Sequence, residues 1–120
     1  MAWSGSSWNG SSGYLADMSK ISLIAKLTAV EGKADELEAA LLGVIEAAEE
    51  EAGLEVYSAH GVDDQPGVYY FFEIYRDADA KATHGKGDRM RAAMGAFGGL
   101  LTGRPEVTTM TPIAAKGLDI

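Results

Sequence analysis

The sequence predicts an α+β fold, β-α-β-β-α-β in ferredoxin-like order, with one four-stranded antiparallel sheet and helices on one of its faces. Three observations predict it. Two short runs alternate at strand period, one long stretch repeats apolar residues every three or four positions, and a Pro-Gly turn joins two further runs rich in β-branched and aromatic residues.

The first run, ISLIAKLTAV from Ile21, puts Ile21, Leu23, Ala25, Leu27 and Ala29 on one face and Ser22, Ile24, Lys26, Thr28 and Val30 on the other. This is strand periodicity, and Glu31-Gly32 ends it. Leu37, Leu41, Val44, Ile45, Ala48 and Ala52 then recur at helical intervals with Glu36, Glu38 and Glu46 opposite, which predicts a long amphipathic helix stopped at Gly53. Glu49, Glu50 and Glu51 in its last turns oppose the helix dipole and weaken that end by roughly a few tenths of a kcal/mol. They read as a solvated face, with a site for a basic partner as the alternative.

Leu54 to Val62 and Val68 to Tyr75 are rich in β-branched and aromatic residues and flank Asp63-Asp64-Gln65-Pro66-Gly67, so they form a hairpin. Asp77 suits an N-cap for a short helix from Ala78, broken by Gly85 and Gly87. A second helical piece places Met90, Ala93, Met94 and Phe97 on one face before Gly98, Gly99 and Gly103. Glu106 to Ile113 alternates again as a last strand, with Pro112 marking an edge or an end.

Pairing Val62 with Val68 sets Tyr57 opposite Glu73 and His60 opposite Tyr70. One face of the hairpin then carries Leu54, Val56, Val62, Val68, Tyr70, Phe72 and Ile74. The other carries Tyr57, Ala59, Tyr69, Phe71, Glu73 and Tyr75. Helices cover only one face, so the second apolar face predicts a homodimer with sheets packed face to face.

Composition narrows the chemistry. The 120 residues hold 18 acidic and 10 basic side chains, two His and no Cys, with 47% apolar types. One domain with a real core fits this length. Thiolate metal sites, disulfides and cysteine nucleophiles are excluded, and a multi-histidine metal site is disfavoured. A net charge of −8 opposes binding to nucleic acid or an anionic membrane. No apolar stretch approaches the roughly 20 residues of a membrane span, and the N-terminus lacks a signal-peptide pattern, so the expected compartment is the cytosol. Segment 1–17 is Ser/Gly-rich, with Trp3 and Trp8. It reads either as a flexible extension or as a tail whose indoles dock on a partner, leaving 18–120 as the folded domain.

Glu73 is a carboxylate inside an aromatic strand. Unpaired burial would cost several kcal/mol, so it needs a partner, from Tyr57 across the ladder or from a Lys or Arg on the helices; it either braces the sheet or serves a pocket. His84, at the end of the short helix, is either a general base or anchor, or a plain surface residue. His60 falls on the face assigned to the dimer. The Met90, Met94 and Phe97 stripe is core-forming, and such soft residues also line adaptable pockets. Triad, phosphate-loop and dinucleotide motifs are absent from the sequence.

Phe71-Phe72-Glu73-Ile74-Tyr75-Arg76-Asp77, then Ala80 and His84, resembles the signature of the antibiotic biosynthesis monooxygenase (ABM) domain: an aromatic-x-Glu-x-Trp/Tyr strand followed by Ala-x-x-x-His. Val30-Glu31-Gly32-Lys33 before the long helix and Gly53-Leu54 before the second strand also match, so the resemblance spans about Ile21 to Ile113. It implies a dimeric α+β barrel with a pocket between helices and sheet in each subunit. The family hosts quinone-forming monooxygenases, heme-degrading enzymes, an isomerase of a phosphorylated sugar-like signal, and members without a known reaction. The quinone-forming members use no flavin, heme or metal: a deprotonated phenol, quinol or anthrone-like substrate itself reduces O2.

By this resemblance the catalytic residues would be His84 as base or anchor, with Glu73 and Tyr75 orienting the substrate oxygen. Tyr57, Phe71, Met94 and Phe97 would bind the small aromatic substrate. In the heme-degrading branch a first-strand Asn, a third-strand Trp and a helix His do the work. Ala25 and Tyr75 stand in the first two of those positions here, and His84 near the third. The reading from a different class is a non-catalytic or stress-related dimer whose pocket holds a small ligand.

Overall fold

A computed structural model describes residues 19–120. Segment 1–17, with Trp3 and Trp8, lies outside the described residues. The elements are β1 (Ile21–Thr28), α1 (Ala34–Ala47) with a 3₁₀ turn (Ala48–Glu50), β2 (Leu54–Gly61), β3 (Val68–Tyr75), α2 (Ala78–Thr83), α3 (Asp88–Gly95) and β4 (Glu106–Met110). They form one sheet in the order β2-β3-β1-β4, with every neighbouring pair antiparallel. The ferredoxin-like α+β class and all predicted elements are present.

The hairpin register follows from its turn. Val62 donates its N–H to the Val68 carbonyl at 3.1 Å, and Gly67 closes the turn at φ +86°, a conformation strained for residues with a Cβ. Tyr57 therefore sits opposite Glu73, and His60 opposite Tyr70. On the helix side Leu23, Ala25, Leu27, Tyr69 and Phe71 pack with Leu37, Leu41, Val44 and Met90 into one core. The Tyr69 hydroxyl donates to Glu38 Oε2 at 2.6 Å, tying β3 to α1, and this bond with the Glu38 carboxylate, together with burial, pushes the phenol up to about 12.

Three expectations are corrected. A β-bulge between Leu54 and Val56 shifts the register by one residue, so Leu54 pairs with Tyr75 and joins Tyr75 and Ala80 on the helix side instead of sharing the outer face with Val56. The strand β4 stops at Met110, and Ile113 beyond Pro112 is exposed, because Pro112 has no N–H for the ladder. The long helix narrows to a 3₁₀ turn after Ala47, which leaves Ala52 exposed rather than on the buried stripe.

The outer sheet face carries Ile24, Val56, Tyr70, Phe72 and Ile74. Ile74 is 2% exposed, and Gly117, Leu118 and Asp119 line a cavity with it and Val56. Lys20 Nζ anchors that C-terminal segment, donating to the Asp119 carbonyl at 2.7 Å while it pairs with Glu55 at 2.7 Å. Part of this face is thus occupied by the chain itself, while Tyr70, at 36% exposure, stays open to solvent. Among the described residues no helix is long and apolar enough to cross a membrane.

Candidate functional site

Strand alternation aims Phe71, Glu73 and Tyr75 of β3 at the helices. Phe71 lies between two small neighbours, Ala25 on β1 and Ala59 on β2, and Ala25 in turn faces Val107 on β4. Small side chains beside a large ring leave room above the sheet. On the next row Tyr57 and Leu23 flank Glu73. The Tyr57 ring stacks on Phe71 with centroids 4.7 Å apart and planes 8° from parallel, which gives the space a flat aromatic wall.

The helical side supplies the roof. Asp77 caps α2 by accepting the Ala80 N–H at 2.8 Å, and α2 ends at His84. Gly85 follows at φ +82°, reversing the chain toward α3, whose Met94 sulfur would lie 3.2 Å from any Cβ placed there. Together these surfaces line an open cleft of about 330 Å³, at the lower end of the roughly 300–1,000 Å³ usual for small-molecule pockets. All seven residues singled out in the sequence line it: Tyr57, Phe71, Glu73, Tyr75, His84, Met94 and Phe97. Lys81 and the edge residues Pro105 and Val107 complete the rim.

Polar groups gather at one end. Glu73 is buried, and its partner is the hydroxyl of Tyr75 two residues along the same strand face, rather than Tyr57 or a helix cation. Burial raises the Glu73 carboxyl above its ordinary range, and the Tyr75 hydrogen bond opposes that rise. The Tyr57 and Tyr75 phenols are raised well above theirs, chiefly by burial and then by the negative charge or hydrogen bond of Glu73, so both stay protonated donors. The His84 ring stands edge-on to both, 5.4 Å from Tyr57 and 5.6 Å from Tyr75.

Glu51 is the residue that sequence reasoning missed. Its Oε1 lies 2.7 Å from His84 Nδ1, and its Oε2 accepts the Gly85 N–H at 3.2 Å. Unlike the exposed Glu49 and Glu50, it is drawn inward. Helical spacing gave no signal for it, because the helix tightens to 3₁₀ after Ala47 and Glu51 lies beyond that turn. His60, the other histidine, is exposed, with its Nε2 2.8 Å from Ser58 Oγ. Among the described residues no group of three or more His, Cys, Asp or Glu side chains is placed to hold a metal ion.

The arrangement offers a flat apolar slot ending in two phenol donors, a carboxyl and an imidazole. Solved structures with the same fold include a candidate antibiotic biosynthesis monooxygenase from Caulobacter crescentus CB15, 27% identical, with TM-score 0.75 over 88% of this chain and 99% of that one. A Shewanella oneidensis protein is 26% identical, with TM-score 0.72 over 82% and 95%. A Mycobacterium tuberculosis protein is also 26% identical, with TM-score 0.72 over 81% and 98%. A comparison with curated proteins found no match. The sequence model of the antibiotic biosynthesis monooxygenase family matches residues 20–96, which include both central strands and the polar groups Tyr57, Glu73, Tyr75 and His84 of the cavity. The chain belongs to the antibiotic biosynthesis monooxygenase family.

Proposed function

We propose that the cavity oxidises a small phenolic, quinol or anthrone-like aromatic with O2, the substrate anion supplying the electrons. The observation that supports this best is the convergence of His84, Tyr75 and Glu73 at one end of a slot walled by the stacked Tyr57 and Phe71 rings. A planar substrate would lie along that wall with its acidic hydroxyl toward His84. His84 would take the proton, and the Tyr75 hydroxyl, held by Glu73 before substrate binds, would turn to donate to the substrate oxygen. For an anthrone the balance is a ring CH2 plus O2 giving C=O plus H2O. Four electrons leave the substrate; one oxygen atom enters the product and the other leaves as water. In this reading no bound redox group takes part.

The same reading makes the protein a homodimer through the outer sheet face, where Tyr70, Phe72 and Ile24 present apolar surface.

Oxygen uptake with reduced naphthoquinols and anthrones tests the proposal. The wild type should consume O2 in excess over the uncatalysed rate, and His84→Ala should lose on the order of 10²–10⁴ of that excess. Tight aromatic binding without O2 consumption by any of these substrates would sink the oxidase reading and leave a ligand-binding protein.

A further inference from the structure

The contact between Glu51 and His84 has a consequence for which imidazole nitrogen meets the cavity. We propose that Glu51 is a positioning residue: it holds His84 with its proton on Nδ1, so that Nε2 is the bare acceptor turned to the cavity. The role of that acceptor in catalysis rests on the function proposed above; the tautomer assignment does not.

A carboxylate only accepts, so the proton shared across the 2.7 Å contact belongs to Nδ1. A neutral imidazole has a single N–H, which leaves Nε2 as acceptor. His84 lines the cavity and Glu51 does not, so Nδ1 is engaged on the side away from the substrate space, and Nε2 has no hydrogen-bond partner among the described residues.

Two further contacts fix this orientation. Tyr57 and Tyr75 meet the ring edge-on at 72° and 64°, so a ring flip exchanging the nitrogens would disturb both. The second Glu51 oxygen is held by the Gly85 N–H, which ties the carboxylate to the backbone immediately after His84. The device thus spans two elements, the end of the 3₁₀ turn and the end of α2. When Nε2 accepts a phenolic proton, the O–H electron pair stays on the substrate oxygen and the Nδ1–H stays on the ring, hydrogen-bonded to Glu51. The carboxylate then faces the imidazolium it helped to prepare.

Histidine ¹⁵N NMR at alkaline pH, where imidazole is neutral, tests the assignment on the full chain, with exposed His60 as internal reference. The wild type should give the Nδ1–H pattern at His84. Glu51→Ala should move it to the Nε2–H form that free imidazole favours, with His60 unchanged. Glu51→Gln keeps the side-chain volume and can present an N–H to Nδ1, so it should move the same way and carries the test should the alanine variant not fold. An Nε2–H pattern in the wild type, or an Nδ1–H pattern that persists in a folded variant, overturns the proposal. In turnover the glutamine variant should lose on the order of 10–100-fold in kcat with KM little changed. A wild type that oxidises no quinol or anthrone removes the proposed function, and the nitrogen shifts still decide the role of Glu51.

Discussion

Glu73 sits where a charge is hardest to keep, among aromatic rings with Tyr75 as its hydrogen-bond donor. Burial raises its folded-state pKa, so the unfolded chain releases this proton at lower pH than the folded one. Its contribution to stability is therefore fully present below the ordinary carboxylate value and is lost as pH rises through the folded value. Glu73→Gln keeps an oxygen for Tyr75 and cannot ionise. Denaturation curves between about pH 4 and 8 should show the variant gaining on the wild type as pH rises; curves that stay parallel would mean that Glu73 ionises as freely in the fold as in the unfolded chain. Strand alternation put Tyr57, Phe71, Glu73 and Tyr75 on one face of the hairpin, while His84, Met94 and Phe97 came to the same pocket only through the resemblance to the antibiotic biosynthesis monooxygenase signature. The partner of Glu73 was not legible, since a same-face neighbour two residues along competes with a cross-strand one only through rotamer and burial. Glu51 was hidden for a similar reason: three consecutive glutamates look alike until the helix tightens after Ala47 and turns one of them inward.

Among the elements, α2 depends on one close approach. A Cβ placed on Gly53 would come within 2.5 Å of the Ala80 Cβ, and the Gly53 carbonyl accepts the Arg76 N–H at 2.7 Å. Gly53→Ala should therefore push α2 off the sheet edge and cost about 1–3 kcal/mol, read by urea denaturation. Removing the opposing methyl with Ala80→Gly in the same chain should recover part of the loss beyond simple additivity. Additive effects would show that the two methyl groups do not compete. The β2–β3 register was readable from the Pro-Gly turn, whereas the bulge beside Leu54 was not. Its register change moves Leu54 from the outer face to the cluster with Tyr75 and Ala80, a choice made by packing at the far end of the strand, beyond the reach of a local pattern. The early stop of β4 was half legible, since Pro112 marked the limit but not the residue.

At the scale of the whole molecule, the helix side of the sheet builds the cavity, and the proposed homodimer would use what the C-terminal segment leaves open on the outer side. The chain's own C-terminal segment near Val56 and Ile74 narrows the area left for that partner to the region around Tyr70 and Phe72. Sedimentation equilibrium should give twice the chain mass, and Tyr70→Glu should shift the population toward monomer, because burying an unpaired carboxylate in an apolar interface is costly. A wild-type monomer across the concentration range would contradict the face-to-face arrangement. Under the proposed function, the cavity around His84, Tyr75 and Glu73 inserts oxygen from O2 into an aromatic substrate. Mass spectrometry of the product formed from an anthrone under ¹⁸O2 tests it most directly. One ¹⁸O atom per product molecule is expected with the wild type, and the uncatalysed level with His84→Ala. Product without label, or equal label with both proteins, would contradict it.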